Sequence, residues 1–148
     1  MTAIYVYVAS SATMPDQPQG PAGWSAVLTY QEHHKVLTAG ARGQSCAAMT
    51  LTALVRTLET LKRHDLPVII VVPAGEILTA FNQQAYLGWA HNNWQTGETP
   101  VPNQRLWQRL VALSKTFPDL TLRERTTVKN EMLTRADSVL AATLTKLS

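Results

Sequence analysis

The sequence predicts an α/β fold: one five-stranded mixed sheet, three antiparallel strands followed by two parallel ones, with helices on both faces. Three observations carry this. The first forty residues hold three β-type runs joined by a loop and a short link, the mark of antiparallel neighbours. A continuous β-branched run, Val68-Ile-Ile-Val-Val72, lies between Pro67 and Pro73 and reads as a strand buried on both faces. Segments with apolar residues at helical spacing separate this strand from the third strand and from the last one, as crossovers between parallel strands require.

The elements follow in order. Ile4, Val6 and Val8 alternate with Tyr5, Tyr7 and Ala9, the period of a strand. Pro15 to Gly23 holds three prolines and two glycines and reads as a loop. Trp24–Tyr30 and Lys35–Ala39 are the second and third strands, with Gln31–His34 as a hairpin link. Ser45 is placed to cap a helix in which Leu51, Leu54, Val55, Leu58 and Leu61 share one side. After Val68–Val72 come two shorter helical stretches, Ala74–Asn82 and Gln83–His91, then a polar, turn-rich segment, Asn92–Asn103. A helix carrying Leu106, Leu110 and Leu113 follows, then a strand of alternating Leu120, Leu122 and Glu124, and a final helix over about Glu131–Lys146.

Composition bounds the class. The 148 residues suit one domain spanning 1–148, and 45% hydrophobic against 16% charged residues describes a globular chain with a core. No apolar run reaches the length of a membrane span, and no basic region followed by an apolar core marks a secretory leader. Cys46 is the single cysteine, which excludes an intramolecular disulfide and a CxxC metal site; the expected setting is a reducing cytoplasm with no membrane contact. A net charge of +3 permits contact with nucleic acid without demanding it, since the basic residues are scattered.

Local motifs add a family resemblance. Tyr5-Val-Tyr-Val-Ala-Ser-Ser11, Pro21-Ala-Gly-Trp-Ser-Ala-Val-Leu28, Ala48-Met-Thr-Leu-Thr-Ala-Leu54, the tryptophans Trp89 and Trp94, and Pro100-Val-Pro-Asn-Gln-Arg-Leu-Trp-Gln-Arg-Leu110 occur in that order. Together, over residues 4 to 143, they resemble the bacterial type 1 ribonucleases H. The resemblance implies the ribonuclease H-like fold and an enzyme that cuts the RNA strand of RNA–DNA hybrids. In it four carboxylates hold two Mg2+ ions roughly 4 Å apart, which activate water and stabilise the leaving oxygen.

At those positions this chain departs from the pattern. The first-strand Asp falls on Ala9, the first-helix Glu on Thr50 and the Asp ending the fourth strand on Pro73. Only the last-helix Asp has a counterpart, Asp137 in Thr-Arg-Ala-Asp-Ser, and the mobile His falls in Thr126-Thr-Val128. The substrate-reading Asn-Asn turn is Cys46-Ala47, and the handle, Trp89-Ala-His-Asn-Asn-Trp-Gln-Thr-Gly-Glu98, keeps aromatics without Lys or Arg. Loss of phosphate contacts weakens hybrid binding steeply.

Other residues are of types that can bear chemistry. Asp137 is expected to be a surface acid beside Arg135 or Lys129. Glu76 and Glu131 could join it in a makeshift one-metal centre, or simply complement helix amino termini. Ser10-Ser11 lacks a nearby base among His33, His34, His64 and His91, so turn hydroxyls bonding the backbone are expected. His33-His34 reads as a hairpin-turn pair. Trp89 and Trp94 are expected to pack the handle first, to contact a protein second and to stack on nucleic acid third; Trp24 and Trp107 are expected in the core.

The sequence thus points to a catalytically inactive ribonuclease H-like domain that acts by binding another protein or a second copy of itself, with weak nucleic-acid contact and no cofactor. The alternatives are an RNA–DNA hybrid ribonuclease with a rearranged Mg2+ or Mn2+ site, and a nucleic-acid-binding module without chemistry.

Overall fold

Strand β1 (Ile4–Ser11) lies at the centre of a five-stranded sheet in a computed structural model. The structure describes residues 3–11, 20–62, 65–73, 75–101, 103–117, 119–125 and 131–147, the side chains of Glu76 and Leu147 excepted. The expected loop from Pro15 through Gln19, and His64, Ala74, Thr126–Val128 and Lys129, lie outside the described residues.

β2 (Pro21–Tyr30) pairs antiparallel with β1 and with β3 (His33–Arg42). β4 (Val68–Val72) pairs parallel with β1, and β7 (Leu120–Glu124) pairs parallel with β4. The mixed sheet expected from sequence is therefore present, with strands longer at the hairpin than local composition suggested. β2 starts at Pro21 and β3 runs to Arg42, because pairing with a long central neighbour carries the ladder through residues of poor strand propensity. The hairpin turn is only Gln31–Glu32, so His33 and His34 are strand residues paired with Tyr30 and Thr29 rather than turn residues.

The two-residue period of the strands feeds two cores. Ile4, Val6, Val8, Trp24, Ile70 and Val72 face α1 (Cys46–Thr60), with α4 (Gln104–Ser114) packed behind it. Tyr7, Ala9, Val27 and Val71 face α5 (Glu131–Leu147), which contributes Leu133, Ala136 and Leu140. Close approach on that side needs Gly23: a Cβ there would lie 3.0 Å from the Ala39 carbonyl oxygen and 3.4 Å from Leu140 Cδ1. Ser45 caps α1 as expected, its side chain accepting from the Ala48 N–H at 3.1 Å.

Two short helices, α2 (Glu76–Asn82) and α3 (Ala85–His91), are separated where Gln84 adopts a left-handed conformation. The segment expected to be irregular holds a small hairpin, β5 (Gln95–Thr96) with β6 (Thr99–Pro100), turned at Gly97. Among the described residues, no helix is long and apolar enough to cross a membrane.

Candidate functional site

The positions singled out in sequence converge at one end of the sheet. β1 and β4 run parallel, with Tyr7 beside Val71, so Ala9 and Pro73 stand two residues further along adjacent strands. Val72 pairs with Glu124, which brings Arg125 to the same end. α5 crosses this end on one face and places Ala136 against the cluster holding Ala9. α1 reaches it from the other face through Cys46 and Thr50.

The chemistry there is internally satisfied. Ala9 is only 1% exposed, a methyl group in the α5-side core with no donor or acceptor to offer. Thr50 is buried, and its hydroxyl is 2.8 Å from the Ser10 hydroxyl, which also lies 3.7 Å from Cys46 Sγ. The expectation that the Ser10-Ser11 turn bonds the backbone is therefore corrected for Ser10. Its partner is a side chain on α1, in reach because the end of β1 abuts the first turns of that helix. Pro73 follows the last residue of β4 and supplies a ring that can neither ligate nor extend the strand. One residue deeper on β2, Ser25 donates to the Ala136 carbonyl at 2.6 Å and ties α5 to the sheet.

Asp137, the single acid the resemblance carries over, is held by Arg125 rather than by an expected neighbour. Arg125 donates Nη1 to Oδ1 at 2.9 Å and Nη2 to Oδ2 at 2.8 Å, a bidentate fork that engages both carboxylate oxygens. Of the two expected partners, Arg135 is two residues before Asp137 on α5 and so points to a different side of that helix, and Lys129 lies outside the described residues. The hydrogen bond to Asp137 raises the Arg125 guanidinium above its usual range, opposed by partial burial and aided by the carboxylate charge. The spacing of Arg123 and Arg125 is the available signal: two residues apart at the end of β7, they share the face opposite Leu122, which packs in the α1-side core, and that is the face under α5 where Asp137 sits.

A two-metal centre does not fit this donor set. Mg2+ demands several oxygen ligands in near-octahedral array. Here Ala9 and Pro73 have none, the Thr50 and Ser10 hydroxyls bond each other, and both Asp137 oxygens are occupied by Arg125. No group of three or more His, Cys, Asp or Glu residues able to hold a metal occurs among the described residues. Glu131 is exposed and six residues from Asp137 on the same helix, about 9 Å along the axis and on a different face. The Glu76 side chain lies outside the described set.

The remaining candidates are dispersed. Trp89 packs edge-on against buried Trp107 with ring centroids 5.1 Å apart and tilts against Trp94 at 6.3 Å. Trp94 is stitched in by its N–H to the Trp89 carbonyl and by the Val101 N–H to its own carbonyl. Both tryptophans thus pack the handle onto the core, while Trp24 and Trp107 are buried in it. His33 and His34 lie at the other end of the sheet, and His91 is exposed at the end of α3.

No family model matches the chain. It is 36% identical over 117 residues to the ribonuclease H of Thiobacillus denitrificans, covering 78% of this chain and 76% of the relative. With the ribonuclease H of Maricaulis maris it shares 32% identity over 97 residues, 65% of this chain and 64% of that relative's length. Among solved structures, a type 1 ribonuclease H with the type 2 active-site motif superposes with a TM-score of 0.76 at 13% identity, over 99% of this chain and 73% of that one. LC11 ribonuclease H1, solved in complex with an RNA/DNA hybrid, superposes with a TM-score of 0.69 at 19% identity, over 97% of each chain.

Proposed function

The chain belongs to the ribonuclease H family, and we propose that within it this protein is a catalytically inactive, single-domain binding module, residues 1–148, working in the cytoplasm. The observation that carries this reading is the Arg125–Asp137 fork. A guanidinium supplies the positive charge that a divalent ion would otherwise bring to the retained acid, and the three other ligand positions hold an alkyl group, an engaged hydroxyl and a proline ring. The module's partner is another protein or a second copy of the chain. Nucleic-acid contact is weak, because the handle lacks cations and its tryptophans are committed to packing.

A second reading is favoured by the relatives' own name: a hybrid ribonuclease with a rearranged site, in which Asp137 leaves Arg125 to take a metal. One assay separates the two. A labelled RNA–DNA hybrid is incubated with the protein in Mg2+ and then in Mn2+, alongside Asp137→Asn. The inactive module leaves the hybrid intact in both metals. Cleavage in Mn2+ that Asp137→Asn abolishes would establish the rearranged enzyme instead.

A further inference from the structure

We propose that the cavity between the β2–β3 hairpin and the carboxyl end of α1 binds a small amphipathic anion: an apolar body of one ring or a short chain, carrying one carboxylate, sulfonate or phosphate. This site is independent of the former catalytic end. Ile4, which lines it, lies five residues before Ala9 on β1, roughly 17 Å away along the strand.

The cavity has a volume of about 280 Å³, near the lower end for small-molecule sites. Its floor is apolar, made by buried Ile4 and Leu28 and half-buried Leu61. Strand register determines what surrounds that floor. Lys35 pairs with Leu28 and His33 with Tyr30, so both stand on the α1 side of the sheet with the floor residues. Lys62, just past the end of α1, closes the wall opposite, and His34 completes the basic rim.

Charge argues for the class of ligand. Among the described residues no Asp or Glu lines the cavity, and none of His33, His34, Lys35 or Lys62 makes an ion pair with a described residue. The carboxyl end of α1 contributes about half a negative charge, which the two lysines outweigh about fourfold. An apolar recess edged by two lysines that pair with no described acid is complementary to a molecule whose body is apolar and whose head is anionic. A neutral hydrocarbon would leave the rim unused, and a cation would be repelled by it.

The test uses the full chain and octanoate as the probe, followed by amide chemical shifts, with octylamine as the charge-reversed control. Saturable shifts confined to residues 28–35 and 60–62, absent with octylamine, are expected. Lys35→Glu with Lys62→Glu should weaken octanoate binding about tenfold or more. Because both lysines are exposed, the same spectra will report an intact fold in the variant, and Lys62→Gln serves as a milder second variant expected to weaken binding about threefold. Equal binding of octylamine, octanoate binding unchanged by charge reversal, or the lack of a saturable response at these amides would overturn the proposal.

Discussion

The two ends of the central sheet handle polar side chains in opposite ways. Where β1 and β4 finish, Ser10 bonds Thr50, Ser25 bonds the Ala136 carbonyl, and Arg125 grips both oxygens of Asp137. At the hairpin end, Lys35, Lys62 and two histidines surround an apolar recess without an ion pair to a described residue. The first end spends its polar groups on itself, and the second leaves them to solvent or a ligand. In an enzyme that grips metal the first end would be the one with unsatisfied charge, since like-charged carboxylates held together there await a cation. Here the polar groups described at that end bond one another.

The comparison can be broken most sharply at Ala9. Introducing an acid alone, by Ala9→Asp, buries a carboxylate among Tyr7, Val27, Leu133 and Ala136 in a largely apolar cluster. The expected loss is about 3 kcal/mol or more, read from urea unfolding. A loss within about 0.5 kcal/mol would mean that this end of the sheet is open to water and still shaped for charge.

A smaller effect is expected at Arg125. The pair is well aligned, yet the Arg125 side chain is 27% exposed and Asp137 51% exposed, so solvent screens it. Arg125→Ala should cost up to about 1 kcal/mol, diminishing in high salt. By contrast, Lys35→Ala at the hairpin end removes no ion pair and should stay within about 0.5 kcal/mol. Equal costs at the two positions would erase the distinction between bonding turned inward and charge left outward. The sign of the pH effect follows from the raised Arg125 guanidinium: the pair's contribution is complete below the unfolded-state value and is lost only as pH climbs through the folded one, far into the alkaline range.

Much of the fold was legible in the sequence because each core strand declares itself by a different physical signature. Ile4, Val6 and Val8 alternate, Val68–Val72 is apolar throughout, and both patterns are set by which faces are buried. The extent of β2 and β3 was not legible. Pro21, Gly23 and Gly40 have poor strand propensity, and only the neighbouring strand holds them in the ladder. At the site, that the Ala9 and Pro73 side chains offer no ligand could be read from residue types alone, since a methyl group or a pyrrolidine ring is inert to metal in any setting. The partner of Asp137 could not. Nearness in sequence suggests Arg135, whereas Arg125 reaches it from just beyond β7 by a contact that exists only once α5 lies on the sheet. The same holds for Ser10 and Thr50, forty residues apart and joined by the docking of α1.

The most direct measurement is a Mn2+ titration of the full chain, watching paramagnetic broadening of backbone amides at residues 9, 50, 72 and 137, Val72 reporting for the proline that follows it. With the retained carboxylate forked by a guanidinium, broadening there should be weak and unsaturable up to millimolar metal. Saturable broadening of all four amides with a stoichiometry of two ions would contradict the account, because it would mean that Arg125 yields its place to metal.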